Sequence, residues 1–347
     1  MKKLFLSAII IIICSNLFSQ KVNQKPSVDE ISSQIEKFTQ VLNVLNNNYV
    51  DTVNIPILTE EAIKGMLSAL DPHSVYISAK DVKAVEEPLL GSFEGIGVTF
   101  QIIRDTINII EVIAGGPAEM VGVFPGDKII KINDSVACGD FVTNQYVTKK
   151  LRGPKGTSAK ITIKRPGKSD FIDFTIIRDK IPLNSINAAY MIEPGIAYIK
   201  IDRFSRTTIE EFKTNINELK QNNIDFLVLD LRGNGGGFLA TAVQLADEFL
   251  DAGKLIVYTK GRNMPENKYN STMRGDYEKG KLIVLVDERS ASASEIVAGA
   301  LQDWDRAIIM GRRTFGKGLV QNPYYLNDGS LIRLTVAKYY TPTGRCI

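Results

Sequence analysis

Three serines spaced two apart, Ser290, Ser292 and Ser294, follow the apolar run 282–286 and the turn Asp287-Glu288-Arg289. A helical pattern begins there, with Ile296, Val297, Ala300 and Leu301 on one face. A serine at a strand-to-helix turn can present its hydroxyl to a substrate as the nucleophile of acyl transfer. A second apolar strand, 307–310, leads into Gly311-Arg312-Arg313-Thr314-Phe315-Gly316-Lys317-Gly318, which makes Lys317 the candidate general base. The chain has one histidine, His73, so a Ser-His-Asp triad or a His-rich metal site would have to be built on it alone. Upstream, the apolar strand 226–231 ends in Arg232-Gly233-Asn234-Gly235-Gly236-Gly237. Only glycine lets the main chain come so close to a substrate, and a backbone N–H there can stabilise an oxyanion. A second N–H would come from the residue after the nucleophile, at a helix N-terminus whose dipole favours negative charge.

Two other chemistries compete for these glycines, and both fail on spacing. Gly311 to Lys317 fits the Gly-x-x-x-x-Gly-Lys of a phosphate loop, which then needs Ser or Thr for magnesium and a helix. Here Gly318 follows, and Leu319-Val320-Gln321-Asn322-Pro323 reads as strand. Gly233-Asn234-Gly235-Gly236-Gly237 breaks the Gly-x-Gly-x-x-Gly dinucleotide spacing, because Phe238 takes the last glycine's place. No cofactor and no metal are expected.

The lysine role carries a physical condition. A free lysine has a pKa of roughly 10.4 and holds its proton at neutral pH. Burial in apolar surroundings lowers that value by disfavouring the charged form. Phe315, Leu319 and Val320 are the apolar neighbours, and no carboxylate adjoins Lys317 in sequence.

At 347 residues the chain has room for two or three domains. A net charge of +3, with no long Lys/Arg block, gives no nucleic-acid surface. Residues 1–19 have the parts of a secretory signal peptide: Lys2 and Lys3, an apolar core at 4–13, and small Ser19 before a cleavage point. That core is short of the roughly twenty residues a spanning helix needs, so an exported, periplasmic or extracellular protein is expected. Left uncleaved, the segment would associate the chain with the membrane. Cys14 lies inside it, and Cys138 and Cys346 have no metal-ligand spacing, so no disulfide framework is expected.

Residues 28–90 read as helical. Ile31, Ile35, Phe38, Leu42 and Leu45 keep a helical period, and a second helix is expected over 60–70. Leu70-Asp71-Pro72-His73-Ser74 is a helix stop followed by a turn, with His73 as a structural turn residue. These helices are candidate elements of a homodimer. Short strands at 98–103, 106–112, 128–132 and 159–165 follow. Beyond 179 strands (196–204, 226–231, 255–259) alternate with helices (208–222, 238–250), which implies an α/β core with largely parallel strands. Residues 262–279 are polar and unpatterned and read as a surface loop over the site.

The order Gly95-Ile96-Gly97-Val98, Gly116-Pro117-Ala118-Glu119 and Pro125-Gly126-Asp127-Lys128-Ile129 resembles a PDZ domain of the bacterial protease type, over residues 91–178. Such domains add an extended tail to a sheet edge, and Gly95, Ile96, Gly97 and Val98 would form the loop that offers N–H groups to its carboxylate. Ser290-Ala291-Ser292-Ala293-Ser294-Glu295 with Phe315-Gly316-Lys317-Gly318 resembles the carboxyl-terminal processing, or tail-specific, peptidases. Leu70-Asp71-Pro72-His73-Ser74, Asp230-Leu231-Arg232-Gly233-Asn234-Gly235-Gly236 and Tyr340-Thr341-Pro342-Thr343-Gly344-Arg345 fall in that family's order, and the resemblance covers nearly everything after the signal segment. Spacing alone leaves the acting serine open. The resemblance implies the middle one, Ser292, with Lys317 as base, Gln321 orienting Lys317, and Gly237 and Ala293 donating the oxyanion-hole N–H groups. Ser290 and Ser294 would then pack or cap the helix start. Arg152, in Leu151-Arg152-Gly153-Pro154, sits where relatives place a residue linking two domains.

What the resemblance implies is an α/β multidomain protein. It has an N-terminal helical region (28–90), an inserted PDZ-like domain (91–178) and a serine peptidase core (179–347) built as a crotonase/Clp-like β-β-α spiral. Relatives usually continue past this point, so the closing part of the core is expected to be truncated or missing. The function implied is a secreted or periplasmic serine endopeptidase that cleaves proteins near their carboxyl termini and recognises apolar tails. Two rivals stand beside it. Crotonase relatives use the same paired N–H donors on acyl-coenzyme A thioesters, but need neither a secretory signal nor a tail-binding domain. A catalytically inert PDZ scaffold binding C-terminal tails has no need to retain both Ser292 and Lys317.

Overall fold

Residues 27–272 and 275–347 are described in the computed structural model; the expected signal segment, residues 1–19, lies outside them. The chain divides after Leu70 into two units. In the first, α1 (Val28–Asn48) starts where Ser27 Oγ accepts the Glu30 N–H at 3.1 Å. Ile31, Ile35 and Phe38 keep their expected period, yet no residue of α1 is buried. The second helix, α2 (Ile55–Ser68), begins earlier than its apolar pattern indicates. Asn54 caps it by accepting the Ile57 N–H, and Pro56 suits the first turn, where its missing N–H costs nothing. No helix among the described residues is long and apolar enough to cross a membrane.

The second unit runs from Asp71 to Ile347. It opens with β1 (Val75–Ile77), α3 (Ala79–Leu90) and β2 (Ser92–Gly95). Then β3 (Val98–Ile103), β4 (Thr106–Val112), β5 (Lys128–Ile132), β6 (Ser135–Val136), β7 (Ser158–Lys164) and β8 (Phe171–Ile177) form one antiparallel sheet, ordered β3-β4-β5-β7-β8 with β6 on β5. Alternation along the strands buries Ile107, Ile109, Ile129, Ile132, Ile161 and Ile163 on one face. Short α4 (Pro117–Met120) and α5 (Asn144–Leu151) close that core, α5 through Val147 and Leu151. Buried Arg178 donates to the carbonyls of Lys150 and Leu151 and so fixes the end of α5. The chain enters and leaves this sheet through an antiparallel ribbon of β2 and β9 (Asp179–Pro182).

The rest alternates: β10 (Ile186–Glu193), β11 (Ile196–Ile201), α6 (Thr208–Lys220), β12 (Phe226–Asp230), α7 (Leu239–Asp247), β13 (Leu255–Lys260) and β14 (Asn267–Asn270). It continues with β15 (Lys281–Val286), α8 (Ala293–Asp303), β16 (Ile308–Gly311), β17 (Leu319–Tyr325) and β18 (Leu331–Tyr340). The sheet β10-β11-β12-β15-β16 is parallel from β11 onward, as the alternation requires, with β10 antiparallel at its edge. A second sheet, β1-β18-β13-β14 with β17 on β18, is antiparallel throughout. It departs from the parallel reading because a short turn at Asp328-Gly329 joins β17 and β18 as a hairpin. Residues 262–279 are likewise not all loop: β14 pairs with β13, and Tyr277 is buried against Phe249. Phe204, Phe212, Phe249, Leu229, Val284 and Val297 fill the core under the parallel sheet.

Candidate active site

Strands β12 and β15 are parallel neighbours, with Asp230 opposite Leu285, so their carboxyl ends deliver two loops to the same place. One is 231–237 and the other 287–292. The outer serines hold the two together. Fully buried Ser290 Oγ donates to the Leu231 carbonyl at 2.8 Å, and fully buried Ser294 Oγ to the Asn234 carbonyl at 2.9 Å. The Ala291 N–H also reaches Asn234 O, at 3.0 Å. The middle serine differs. Ser292 is partly exposed, its hydroxyl donates to no protein acceptor among the described residues, and its backbone stands at φ +55°, ψ −109°. A positive φ on a side-chain-bearing residue is strained and survives only where its surroundings enforce it.

Glu295 supplies much of that enforcement. Its buried carboxylate accepts the Ser292 N–H at 2.8 Å, the Gly316 N–H at 2.6 Å and the Lys317 N–H at 2.9 Å. Neighbours of Lys317 in sequence contain no carboxylate, and the residue that grips its backbone comes from the first turn of α8. A signal for part of this was present: Ser292-Ala293-Ser294-Glu295 has the spacing in which a helix's third residue reaches back to its cap.

Lys317 is half-buried just before β17. Its Nζ donates to Gln321 Oε1 at 3.0 Å and, among the described residues, makes no hydrogen bond to Ser292. Gln321 Nε2 in turn donates to the His73 carbonyl at 2.5 Å, so the lone histidine enters through its backbone. Burial pushes the Lys317 ammonium below the usual lysine range, and the Arg333 cation on β18 pushes the same way. The expected apolar shielding is only partial. Phe315 is 60% exposed and meets the His73 ring edge-on at 6.5 Å, while Val320 is buried.

Gly237 stands at φ +153°, and a side chain there would lie 2.0 Å from the Phe204 carbonyl oxygen, so glycine is required. Gly236 packs directly on the serine turn, and a Cβ on it would come within 3.1 Å of the Ala293 nitrogen. Neither the Gly237 nor the Ala293 N–H donates to a protein acceptor among the described residues, the latter as the first residue of α8. One unpartnered N–H thus follows Ser292 directly, and the other follows Gly236, which packs on it. Beneath the glycines, Asp230 accepts Tyr198 Oη at 2.7 Å, Arg232 Nη2 at 2.7 Å and the Arg232 N–H at 2.9 Å. Burial, then Asp230, raises Tyr198 to about 12. Burial alone would raise Asp230, but bonds from Arg232 and Tyr198 outweigh it and hold the carboxyl below its usual range.

At the antiparallel sheet, Ile96 O accepts the Ala118 N–H and Gly97 O the Ile113 N–H. Because C=O and N–H oppose each other across a trans peptide, the Gly97 and Val98 N–H groups point the other way. Gly95 ends β2, Ile96 is buried, and Val98 starts β3, where a small groove runs between Val98, Phe100 and Leu151 of α5. Arg152, just after α5, stacks 4.5 Å over the Phe93 ring and forms an ion pair with buried Glu87 of α3. A larger cavity of about 560 Å³ lies beside that pair, lined by Glu87, Phe93 and Arg206, and contains neither Ser292 nor Lys317.

The chain is similar to known proteins over most of its length. Residues 195–347 match peptidase family S41, and residues 14–81 match the N-terminal domain of the activating protease CtpB. A carboxy-terminal-processing protease of Bartonella bacilliformis is 36% identical over 99% of this chain and 78% of its own length. The carboxy-terminal processing protease CtpB of Bacillus subtilis is 36% identical over 92% of this chain and 66% of its own. Among solved structures, a photosystem II D1 C-terminal processing protease superposes with a TM-score of 0.50 at 29% identity, over 89% of this chain and 83% of that one. An S41 protease structure from Bacteroides fragilis, at 16% identity and a TM-score of 0.52, shares the fold over 94% and 88%. With 36% identity sustained over nearly its whole length, the chain belongs to peptidase family S41, the carboxy-terminal processing serine peptidases.

Proposed function

We propose that this chain is an exported serine endopeptidase that cleaves proteins near their carboxyl termini with a Ser292/Lys317 dyad. Ser292 Oγ attacks the scissile carbonyl while the neutral Lys317 amine takes its proton. The oxyanion is met by the Gly237 and Ala293 N–H groups, and the Lys317 ammonium returns the proton to the leaving amine. Water then repeats the cycle on the acyl-enzyme. The observation that carries this reading is the Glu295 clamp, which straps the strained Ser292 turn and the Lys317 loop to one carboxylate. In the free enzyme Lys317 rests on Gln321, and substrate binding adds its contact with Ser292 while Gln321 goes on orienting the amine. Catalytic hydrogen bonds are often unmade in the free enzyme.

The β3–β8 sheet with α4 and α5 is, in this reading, a PDZ-like domain inserted in a spiral peptidase core. Its Gly95-Ile96-Gly97-Val98 loop takes the tail carboxylate, and the groove along β3 takes apolar side chains. Arg152, shared between that groove and Glu87, links tail binding to the core. Residues 1–19 direct export, and the unburied apolar stripe of α1 pairs two copies. Sedimentation of the full chain and of an Ile35→Lys variant tests the pairing. Sequencing the N-terminus of protein recovered from the periplasm tests the export.

The central test uses a soluble protein bearing an apolar C-terminal tail. Its cleavage is expected from the purified chain and is expected to vanish in both Ser292→Ala and Lys317→Ala. Unchanged cleavage by Ser292→Ala sinks the assignment, and tail binding without cleavage by the unsubstituted chain favours the inert scaffold.

A further inference from the structure

Gln321 has a two-sided amide, and which side faces Lys317 decides whether it helps. Oε1 toward Nζ lets Gln321 accept from the amine, whereas the NH2 end would set donor against donor. The orientation is fixed from behind, because the His73 carbonyl takes only a donor, and it takes Gln321 Nε2. The His73 carbonyl is itself held in a tight turn.

That turn is held by Asp71. Its carboxylate accepts the His73 N–H at 2.8 Å, the Ser74 N–H at 2.8 Å and the Ser74 hydroxyl at 2.6 Å, closing the turn on itself. The same two residues then lock the turn onto β18. Thr335 Oγ1 reaches Asp71 Oδ1 at 3.2 Å, and the Thr335 N–H reaches Ser74 Oγ at 3.1 Å. Thr335 is also the partner of Gln321 across β17–β18, at a bulge where Val320 pairs with Ala337 and Gln321 with Thr335. A bulge interrupts the ladder and re-aims a side chain. Here a Thr335 N–H beside the bulge is met by the turn, and Gln321 is met by the turn's carbonyl.

We propose that Asp71 is a positioning residue for the general base, acting through the His73 carbonyl and Gln321 on Lys317; this rests on the Ser292/Lys317 reading above. Asp71 touches no substrate and no reacting atom. It sets the orientation of the amide that orients the amine.

The test is a cycle of Asp71→Ala and Gln321→Ala in the full chain, assayed on the tailed protein, with Lys317→Ala and thermal unfolding measured in parallel. Asp71→Ala is expected to lower kcat on the order of tenfold with KM held, since small misplacements of catalytic groups have effects of that size and more. In the Gln321→Ala background the same change is expected to lower kcat less than twofold, because its route is already cut. If the Gln321→Ala background is too slow to assay, the Gln321 side-chain amide resonance replaces it: displacement by Asp71→Ala supports the relay, and an unmoved resonance overturns it. If Asp71→Ala does not fold, Thr335→Val, which loses the Asp71 bond but keeps the backbone donor, takes its place. A loss of equal size in both backgrounds marks a merely structural role and overturns the proposal, as does an unchanged kcat. Activity surviving in Lys317→Ala instead sinks the dyad itself, so the two failures are distinct.

Discussion

The Lys317 backbone N–H donates to Glu295 Oε2 at 2.9 Å, on the same oxygen that takes the Ser292 N–H at 2.8 Å. Glu295 is therefore the point where the Ser292 turn and the Lys317 loop are joined. Charge-assisted bonds of this kind contribute about 1.5–3 kcal/mol each, and one carboxylate here makes three. Glu295→Gln places an NH2 among backbone donors. It is expected to lower kcat on the order of 100-fold while leaving far-ultraviolet circular dichroism unchanged. A kcat within twofold of the unsubstituted chain would remove Glu295 from the site's architecture.

Gly237→Ala tests the proposed oxyanion role of the glycine loop. The new Cβ would meet the Phe204 carbonyl at 2.0 Å, in a backbone that other residues avoid, so the loop must move and carry its N–H away. Losing one oxyanion donor typically lowers kcat by about 100- to 1,000-fold. Stopped-time assays on the tailed protein should show that loss with little change in KM. A fall in KM-dependent binding alone would argue that the loop serves the substrate's ground state.

The pH profile of kcat/KM should report Lys317. Burial and the Arg333 cation both disfavour its ammonium, so the acid limb is expected below the ordinary lysine range. Removing the cation restores part of the preference for the charged form, and Arg333→Ala should therefore move the limb to higher pH, with Arg333→Lys close to the unsubstituted enzyme. A limb that stays in place in Arg333→Ala means Arg333 does not tune the base.

The sequence carried the site's parts better than its wiring. Apolar runs and helical patterns placed β11, α6, β12, β15 and α8 within a few residues, because each must bury its apolar surface. Three serines spaced two apart were not separable by spacing. They separate only once the fold buries Ser290 and Ser294 on carbonyls of the neighbouring loop and leaves Ser292 strained and accessible. The carboxylate on the Lys317 loop was invisible near Lys317, since tertiary contact brings Glu295 to it from the first turn of α8. His73 read as a turn residue, and its side chain remains one, but its carbonyl matters because a strand far along the chain presents Gln321 to it. Backbone acceptors leave no mark in residue type.

Coupling between the proposed tail groove and the core should pass through Glu87 and Arg152. The ion pair joins a residue of the groove to a buried carboxylate on α3. Glu87→Gln is expected to reduce stimulation by an apolar tail about tenfold while cleavage of an untailed peptide holds, a size ordinary for coupling between sites. Arg152→Ala should reduce the same stimulation, and the double variant should add little. Stimulation retained in Arg152→Ala would end the coupling role.

Asp230 offers a stability test with a defined pH signature. It is fully buried, and its carboxylate is held below the usual range by Arg232 and Tyr198 despite the burial that opposes it. A depressed folded-state value means the stabilisation is present above the ordinary aspartate pKa, roughly 3.9, and is lost as pH falls through the folded value. Asp230→Asn leaves Arg232 without its partner, and because Arg232 is half exposed the cost at neutral pH is expected near the lower end for broken buried pairs, about 2–3 kcal/mol. Below about pH 4 the unfolded chain's Asp230 takes up a proton that the folded carboxylate resists, so the unsubstituted protein loses stability and the gap between the two proteins should narrow. Urea unfolding at pH 7 and pH 3 measures both gaps. Equal gaps at the two values would show that the charge on Asp230 does not support the strand end from which the glycine loop departs.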